Sequence, residues 1–291
     1  MKLVTIEARE VSGRPGVLLD GGVILDLSAA PGSLAASQWV PQSTISILAA
    51  GERGLAHAQS LIALADGNTA RLRDDGALLK LTATVLMAPM RRPGLILISH
   101  VLSDGSAASF IKSPNTAVGH ASAVSMHGHE LLIANPMFAA VLNRPLYQAD
   151  SDEVEAAIAA WTLTIDLAPD RPEPQDAKEW REYVAARQFP GSMPIGPALV
   201  TVDELANPGA TQASVTINGV ETWAGLICPP VVDCVQRLTD LSRDYAFSAG
   251  DVIAFATALD SPSSPRQKLK SADVYSISTT DGIELGFQLR K

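Results

Sequence analysis

Cysteine is almost missing from this chain: Cys228 and Cys234 are the only two in 291 residues, with five residues between them. No matching His/Cys pair follows, which excludes a disulfide framework and the usual zinc spacings. Two buried thiols in a reducing compartment are the expectation. Aromatic residues make up only 5% of the chain, so the core has to be built from Ala, Val, Ile and Leu. Positive charge is also scarce. The formal net charge is -9 and no Lys/Arg cluster offsets it, which argues against non-specific nucleic-acid binding, since that needs a positive field to displace phosphate counterions. No apolar run reaches the ~18 residues of a membrane-spanning helix, and Met1 to Arg9 meets charge too early for the core of a signal peptide. These absences predict a cytoplasmic protein with no nucleic-acid or membrane partner.

What remains is an apolar chain, 47% hydrophobic and 18% charged. It is long enough for one large domain or two smaller ones and too apolar for disorder. Residues 1–82 read as a small α+β unit. Leu3–Ile6 and Gly16–Leu19 look like strands, Asp20-Gly21-Gly22 is a hairpin turn and Val23–Leu27 is the returning strand. Helices are expected over Ser43–Ala50 and Glu52–Ala65, each stopped by a glycine. Residues 83–291 read as a second, mostly β region. Strands are expected over Pro93–Ser99, Leu131–Leu142, Leu163–Leu167, Ala198–Thr201, Ala213–Ile217, Val252–Phe255 and Val274–Ser278. Pro136 removes a ladder donor and predicts an edge or a bulge in its strand. Helices are expected over Asp152–Trp161, with Ser151 as cap, over Ala177–Arg187 and over Val232–Arg243. Strands without regular intervening helices do not suggest a Rossmann fold or a TIM barrel. The fold class expected is α+β: a mixed, mostly β roll with a small N-terminal α+β domain.

Four local patterns in order carry a family resemblance. Arg92-Pro93-Gly94 leads into an apolar strand, followed by Phe110-Ile111-Lys112-Ser113-Pro114. Met193-Pro194-Ile195-Gly196-Pro197 precedes another strand, and Gly250-Asp251-Val252-Ile253-Ala254 opens the last motif. Over Arg91 to Ala258 this arrangement resembles the catalytic region of the fumarylacetoacetate hydrolase family. That resemblance implies a roll fold and an enzyme acting on a diketone or 2-oxo acid by carbon–carbon hydrolysis, decarboxylation or isomerisation. It also implies a divalent cation held by Glu-x-Glu on a strand and a later Asp, and a His–Glu pair that activates water. Here the two Glu positions fall on Asn135 and Met137, while Asp166 keeps the third. The His–Glu pair falls on Ser106 and Ser109, and the family's lysine falls on Arg187. One carboxylate in place of three predicts no tightly held Mg²⁺ and no cofactor, because a hard cation needs oxygen ligands and gains nothing from a thioether.

Candidate residues follow from that altered frame. His100 lies at the end of a buried strand, where a histidine can serve as acid/base near neutral pH. Asp166, in an apolar strand, needs a partner: it can hold a residual ion, orient His100 or pair with Arg187. Arg187 offers a planar fork for developing negative charge. Ser103, Lys112, Asn135 and Thr257 are substrate-binding candidates, Thr257 because the resemblance puts a threonine beside the substrate. His127 and His129 could share a strand face and form a replacement metal site with Asp166, though a polar loop of solvent-facing histidines is the simpler reading. Trp180, Trp223 and Tyr183 read as packing residues. The function expected is metal-independent hydrolysis of a carbon–carbon bond next to a carbonyl in a small molecule. The alternatives are a decarboxylase, an isomerase or a non-catalytic binding relative. By resemblance, the chain is expected to pair as a homodimer through apolar surface around Phe110, Ile111 and Val231-Val232.

Overall fold

A computed structural model describes residues 1–8, 13–34, 40–90, 93–102, 106–172, 174, 176–256 and 265–291. Its frame is a long antiparallel pair, Leu132–Leu142 and Ile158–Pro169, in which every residue is buried. Strands buried on both faces read as continuous apolar runs, as these do. Met193–Thr201 pairs with Ile158–Pro169 on one side, and Val252–Phe255 pairs with Leu132–Leu142 on the other. Ile96–Val101 then runs parallel to Val252–Phe255 and antiparallel to Ala107–Lys112. These strands belong to one mixed 13-stranded sheet, and Gln212–Ile217, Val220–Leu226, Val274–Thr279, Glu284–Arg290 and Ser122–Ser125 make a separate five-stranded sheet.

The alternation of side chains along a strand sorts the core into two sides. Leu97, Phe138, Trp161, Leu163, Ile165 and Phe255 pack in one cluster with Val215, Tyr275, Ile277, Leu285 and Phe287 of the small sheet. Ile96, Ile98, Phe110, Met137, Ala139 and Val141 belong to another cluster, shared with Leu3, Val17, Leu25, Ile47 and Leu61 of the N-terminal segment. That segment also continues the sheet itself, because Lys2–Ile6 pairs with Met193–Thr201 in the register Lys2↔Val200. The expected hairpin through Asp20-Gly21-Gly22 is present, with Gly21 and Gly22 at φ 71° and 70°. At Asn218-Gly219 both residues have positive φ, 54° and 78°, as a two-residue hairpin turn requires.

Three sequence expectations need correction. The helix over Asp152–Trp161 is shorter: it spans Ser151–Ala157, capped by Asp150 in a capping box with Glu153, and Ile158 already begins the long strand. Ala-rich sequence favours a helix locally, but pairing of Trp161 with both Ala140 and Val200 overrides it. Pro136 marks neither an edge strand nor a bulge. Its strand pairs on both sides, with Gln267–Leu269 opposite Leu132–Ala134 and Val252–Phe255 opposite Phe138–Val141. Pro136 pairs with Ile165 on one side, and on the other it falls between those two neighbours, where no described strand partners it to need its missing donor. Phe110 is not a surface residue but is 5% exposed and part of the core, because it alternates inward with Lys112. Ile111 between them points out, 46% exposed.

Cys228 and Cys234 are both buried free thiols with sulfur atoms 4.0 Å apart. Among the described residues, no helix is long and apolar enough to cross a membrane.

Candidate active site

Four strands send polar side chains to the same face of the large sheet by simple parity. In the long hairpin, Asn135 lies opposite Asp166 and Met137 opposite Thr164. In the pair Ile96–Val101 and Ala107–Lys112, separated from the hairpin by Val252–Phe255, Ile98 lies opposite Phe110 and Ile96 opposite Lys112, so His100, two residues beyond Ile98, shares their side. The fifth contributor is the helix Ala177–Ala185, which ends two residues before Arg187.

Asp166 is the hub. Lys112 Nζ donates to its Oδ1, and Arg187 Nε donates to its Oδ2 at 3.1 Å. All three residues are at most 3% exposed. Lys112 Nζ also donates to the Ser192 carbonyl at 2.8 Å, and Ser192 Oγ donates back to the Arg187 carbonyl at 2.6 Å. Gly191, at φ 82°, allows the tight turn that brings this carbonyl in. The Arg187 guanidinium lies over the Tyr183 ring at 3.6 Å and nearer the edge of reach over Phe110 at 5.9 Å, a cation–π arrangement worth about 0.5–2 kcal/mol. Gln188 fastens the two cations together. Its amide accepts from Ser113 N at 2.8 Å and donates to the Ile111 and Val184 carbonyls at 3.2 Å, gripping the strand on either side of Lys112.

His100 stands beside this cluster, stacked on Phe110 with ring centroids 5.3 Å apart. Neither ring nitrogen has a hydrogen-bond partner, and Asn135 Nδ2 and Thr164 Oγ1 are likewise buried and unbonded. An unsatisfied buried polar group costs about 1–3 kcal/mol, so four such atoms on one sheet face are an expense the fold alone does not explain. The charges point the same way. Burial pushes the His100 imidazole down to about 4 despite the neighbouring Asp166 carboxylate, with Arg187, Arg266 and Lys112 adding to the fall. It is therefore neutral at physiological pH. Burial works to raise the Asp166 carboxyl, but Lys112 and Arg187 outweigh it and hold that group below the usual range. Burial also lowers Lys112 to about 8 against the pull of Asp166. At neutral pH the cluster thus holds two cations and one anion, a surplus of one positive charge.

This chain matches the C-terminal domain profile of fumarylacetoacetate (FAA) hydrolase over residues 100–288, more than half its length. It belongs to the fumarylacetoacetate hydrolase family. Among its relatives, the oxaloacetate tautomerase YisK of Bacillus subtilis is 23% identical over 258 residues, 83% of this chain and 84% of that protein. The fold is similar to that of fumarylacetoacetate hydrolase from Exiguobacterium antarcticum, with a TM-score of 0.71, 18% identity and 100% and 99% of the two chains covered. It is similar as well to maleylpyruvate hydrolase from Sphingobium sp. SYK-6 in complex with manganese(II) ion and pyruvate, with a TM-score of 0.70, 16% identity and the same coverage.

The donor set at this face departs from the Glu-x-Glu and Asp that the sequence resemblance implies. A divalent cation would need oxygen ligands at this face. Asp166 has both oxygens engaged by cations, Met137 is a thioether, and Asn135 has an unbonded amide N–H rather than a carboxylate. These residues do not fit a divalent ion. Nor do His127 and His129 replace them. Their rings lie 5.1 and 6.3 Å from Phe189, and no group of three metal-ligating side chains is found among the described residues.

Of the residues singled out from sequence, the structure brings His100, Lys112, Asn135, Asp166 and Arg187 together. Ser103 and Thr257 lie outside the described residues. Asp166 does pair with Arg187 as expected, but it accepts no hydrogen bond from His100. The expectation that Asp166 orients that ring is therefore corrected: its oxygens are taken by the cations. Sequence reasoning missed Gln188, the Ser192 carbonyl and Thr164. Tyr183 packs as expected but also carries the guanidinium. Only the position of Gln188, next to Arg187, signalled its part in advance.

Proposed function

We propose that this protein is an enzyme acting on a small 2-oxo acid, stabilising its enolate and moving a proton at the carbon beside the carbonyl. The observation that carries this reading is the surplus buried positive charge beside four unbonded polar atoms. An enolate is a delocalised anion, and preorganised donors in a water-poor site stabilise such charge strongly. Lys112 and Arg187 would hold the developing negative charge, and Asn135 Nδ2 would donate to a substrate oxygen. Neutral His100 would accept or return the proton, while Asp166 keeps the cations in place. Ser103 and Thr257 remain substrate-binding candidates on the strength of the sequence. Keto–enol tautomerisation needs only these parts, and it is the activity carried in the name of the Bacillus subtilis relative.

Hydrolysis of a carbon–carbon bond next to a carbonyl is the second reading, because its leaving group is the same enolate. It additionally needs an activated water, and the positions where the family resemblance expects His and Glu are Ser106 and Ser109. We take the protein to act in the cytoplasm, in keeping with its buried free thiols. A homodimer is part of the proposal, with exposed Ile111 and Val232, 46% and 71% accessible, as surface candidates. Light scattering at micromolar concentration tests it, and a monomer would refute it.

The decisive assay follows the ultraviolet absorbance of enol-oxaloacetate in an aprotic-to-aqueous transfer, with and without protein. Acceleration that disappears in His100→Gln supports tautomerisation. Release of two products from an acylpyruvate, with no effect on enol decay, would favour hydrolysis. Neither activity across a panel of oxo acids would leave a non-catalytic binding protein as the account to pursue.

A further inference from the structure

Resting on the oxo-acid reading, we infer that the Lys112 ammonium is the resident cation of this site: the carboxylate or enolate end of the ligand binds directly to Lys112 and Arg187, with no divalent ion between. The disagreement between the family's metal site and this donor set is what points there. On this face the chain offers one carboxylate, and two buried side-chain cations already neutralise it and exceed it. A divalent ion placed among them would face two positive charges with one shared negative charge, in surroundings where charges are poorly screened. An incoming anion meets the opposite balance, since it would cancel the surplus.

Donor capacity agrees with that assignment. An ammonium has three N–H bonds and a guanidinium five. Lys112 spends its bonds on Asp166 Oδ1 and the Ser192 carbonyl, and Arg187 spends its bonds on Asp166 Oδ2 and, at 3.4 Å, the Tyr183 carbonyl. Each cation therefore keeps hydrogens for a ligand. Asn135 Nδ2 adds a neutral donor, directly across the strand pair from Asp166. A planar oxo-carboxylate, with two or more oxygens within one plane, suits such a group of donors. Asp166 then serves as counter-ion and support for the cations, and the ligand is held by them.

Oxalate, a stable planar mimic of a 2-oxo-acid enolate, is the probe. Its binding to the full chain is measured by titration calorimetry after extensive EDTA treatment and again with Mn²⁺ present. The inference predicts the same affinity within about twofold in both conditions. It also predicts at least a tenfold loss in Lys112→Met, with Lys112→Arg recovering part of it; circular dichroism and melting curves show which variants are folded. A rise of tenfold or more on adding Mn²⁺ would overturn the inference while leaving the oxo-acid reading intact. Full binding by folded Lys112→Met in EDTA would overturn it too. No oxalate binding under either condition would overturn the oxo-acid reading itself. The comparison of EDTA with Mn²⁺ uses only the unmodified protein, so a variant that fails to fold does not block the test.

Discussion

Two buried aspartates in this molecule show what separates a carboxylate that holds a fold together from one that serves a site. Asp251, 3% exposed, accepts from the main-chain N–H groups of Leu95 at 2.8 Å and Ser248 at 2.7 Å. It ties the beginning of one strand to the beginning of its neighbour. Burial raises its carboxyl, and the two N–H bonds only partly counter that. Its work is local and its hydrogen-bond account is closed. Asp166 is 1% exposed and is held by two cationic side chains from separate elements, which keep its carboxyl low. Around it the account is left open, with His100, Asn135 and Thr164 each keeping an unbonded polar atom. A structural carboxylate satisfies its neighbours; Asp166 instead maintains a surplus of positive charge.

The comparison breaks if the two residues respond alike to the same substitution. Asp166→Asn leaves two buried cations without their counter-ion, and removing one partner of such a pair costs about 3–5 kcal/mol. It should also abolish turnover, which denaturant melts and enol-decay assays would read separately. Asp251→Asn keeps one acceptor and strands one N–H, a loss of about 1–3 kcal/mol, with turnover per folded molecule unchanged. Equal effects on stability with no effect of Asp166→Asn on activity would make the whole cluster structural.

Substitution of His100 sharpens the same contrast. His100→Gln removes the proton carrier and should lower turnover about 10²–10⁴-fold, while the melting temperature falls only modestly, since no ion pair is touched. If turnover survives, the proton carrier lies elsewhere.

The smallest effect expected is in pH dependence. His100, held near 4 by burial, stays neutral from mildly acidic to alkaline pH, so the rate should lack a limb near the ordinary histidine value of 6.5. Lys112 is charged below about 8 and loses its proton above it. Substrate affinity should therefore be flat at lower pH and fall as pH rises through that value, and initial rates at subsaturating substrate would show it. An inflection near 6.5 would mean that His100 titrates as a solvent-exposed ring.

Much of the frame was legible in the sequence because strand alternation and turn residues are local signals. The apolar run Val252–Phe255 marks its strand at the observed bounds, and the Asn218-Gly219 and Asp20-Gly21-Gly22 turns carry the residues that positive φ favours. Tertiary pairing was harder. Ile158 to Trp161 has helix-favouring neighbours, yet two flanking strands hold it extended. Pro136 reads as an edge signal until the gap between its two partners on one side is seen. The candidate site was half visible: the chain showed which carboxylates were missing and which cations remained. It did not show that Lys112 meets Asp166 across a separation of 54 residues, because that contact depends on the registers of two hairpins together. The unbonded atoms of His100 and Asn135 belong to the packed state alone.

The central claim is that this buried polar face, with its unbonded donors, receives an anion. A crystal structure of the protein grown in EDTA with oxalate tests it most directly. The account predicts oxalate oxygens within hydrogen-bond distance of Lys112 Nζ and Asn135 Nδ2, with Asp166 still held by both cations. Oxalate bound through a metal ion, or bound elsewhere with the face around Asp166 unchanged, would contradict it.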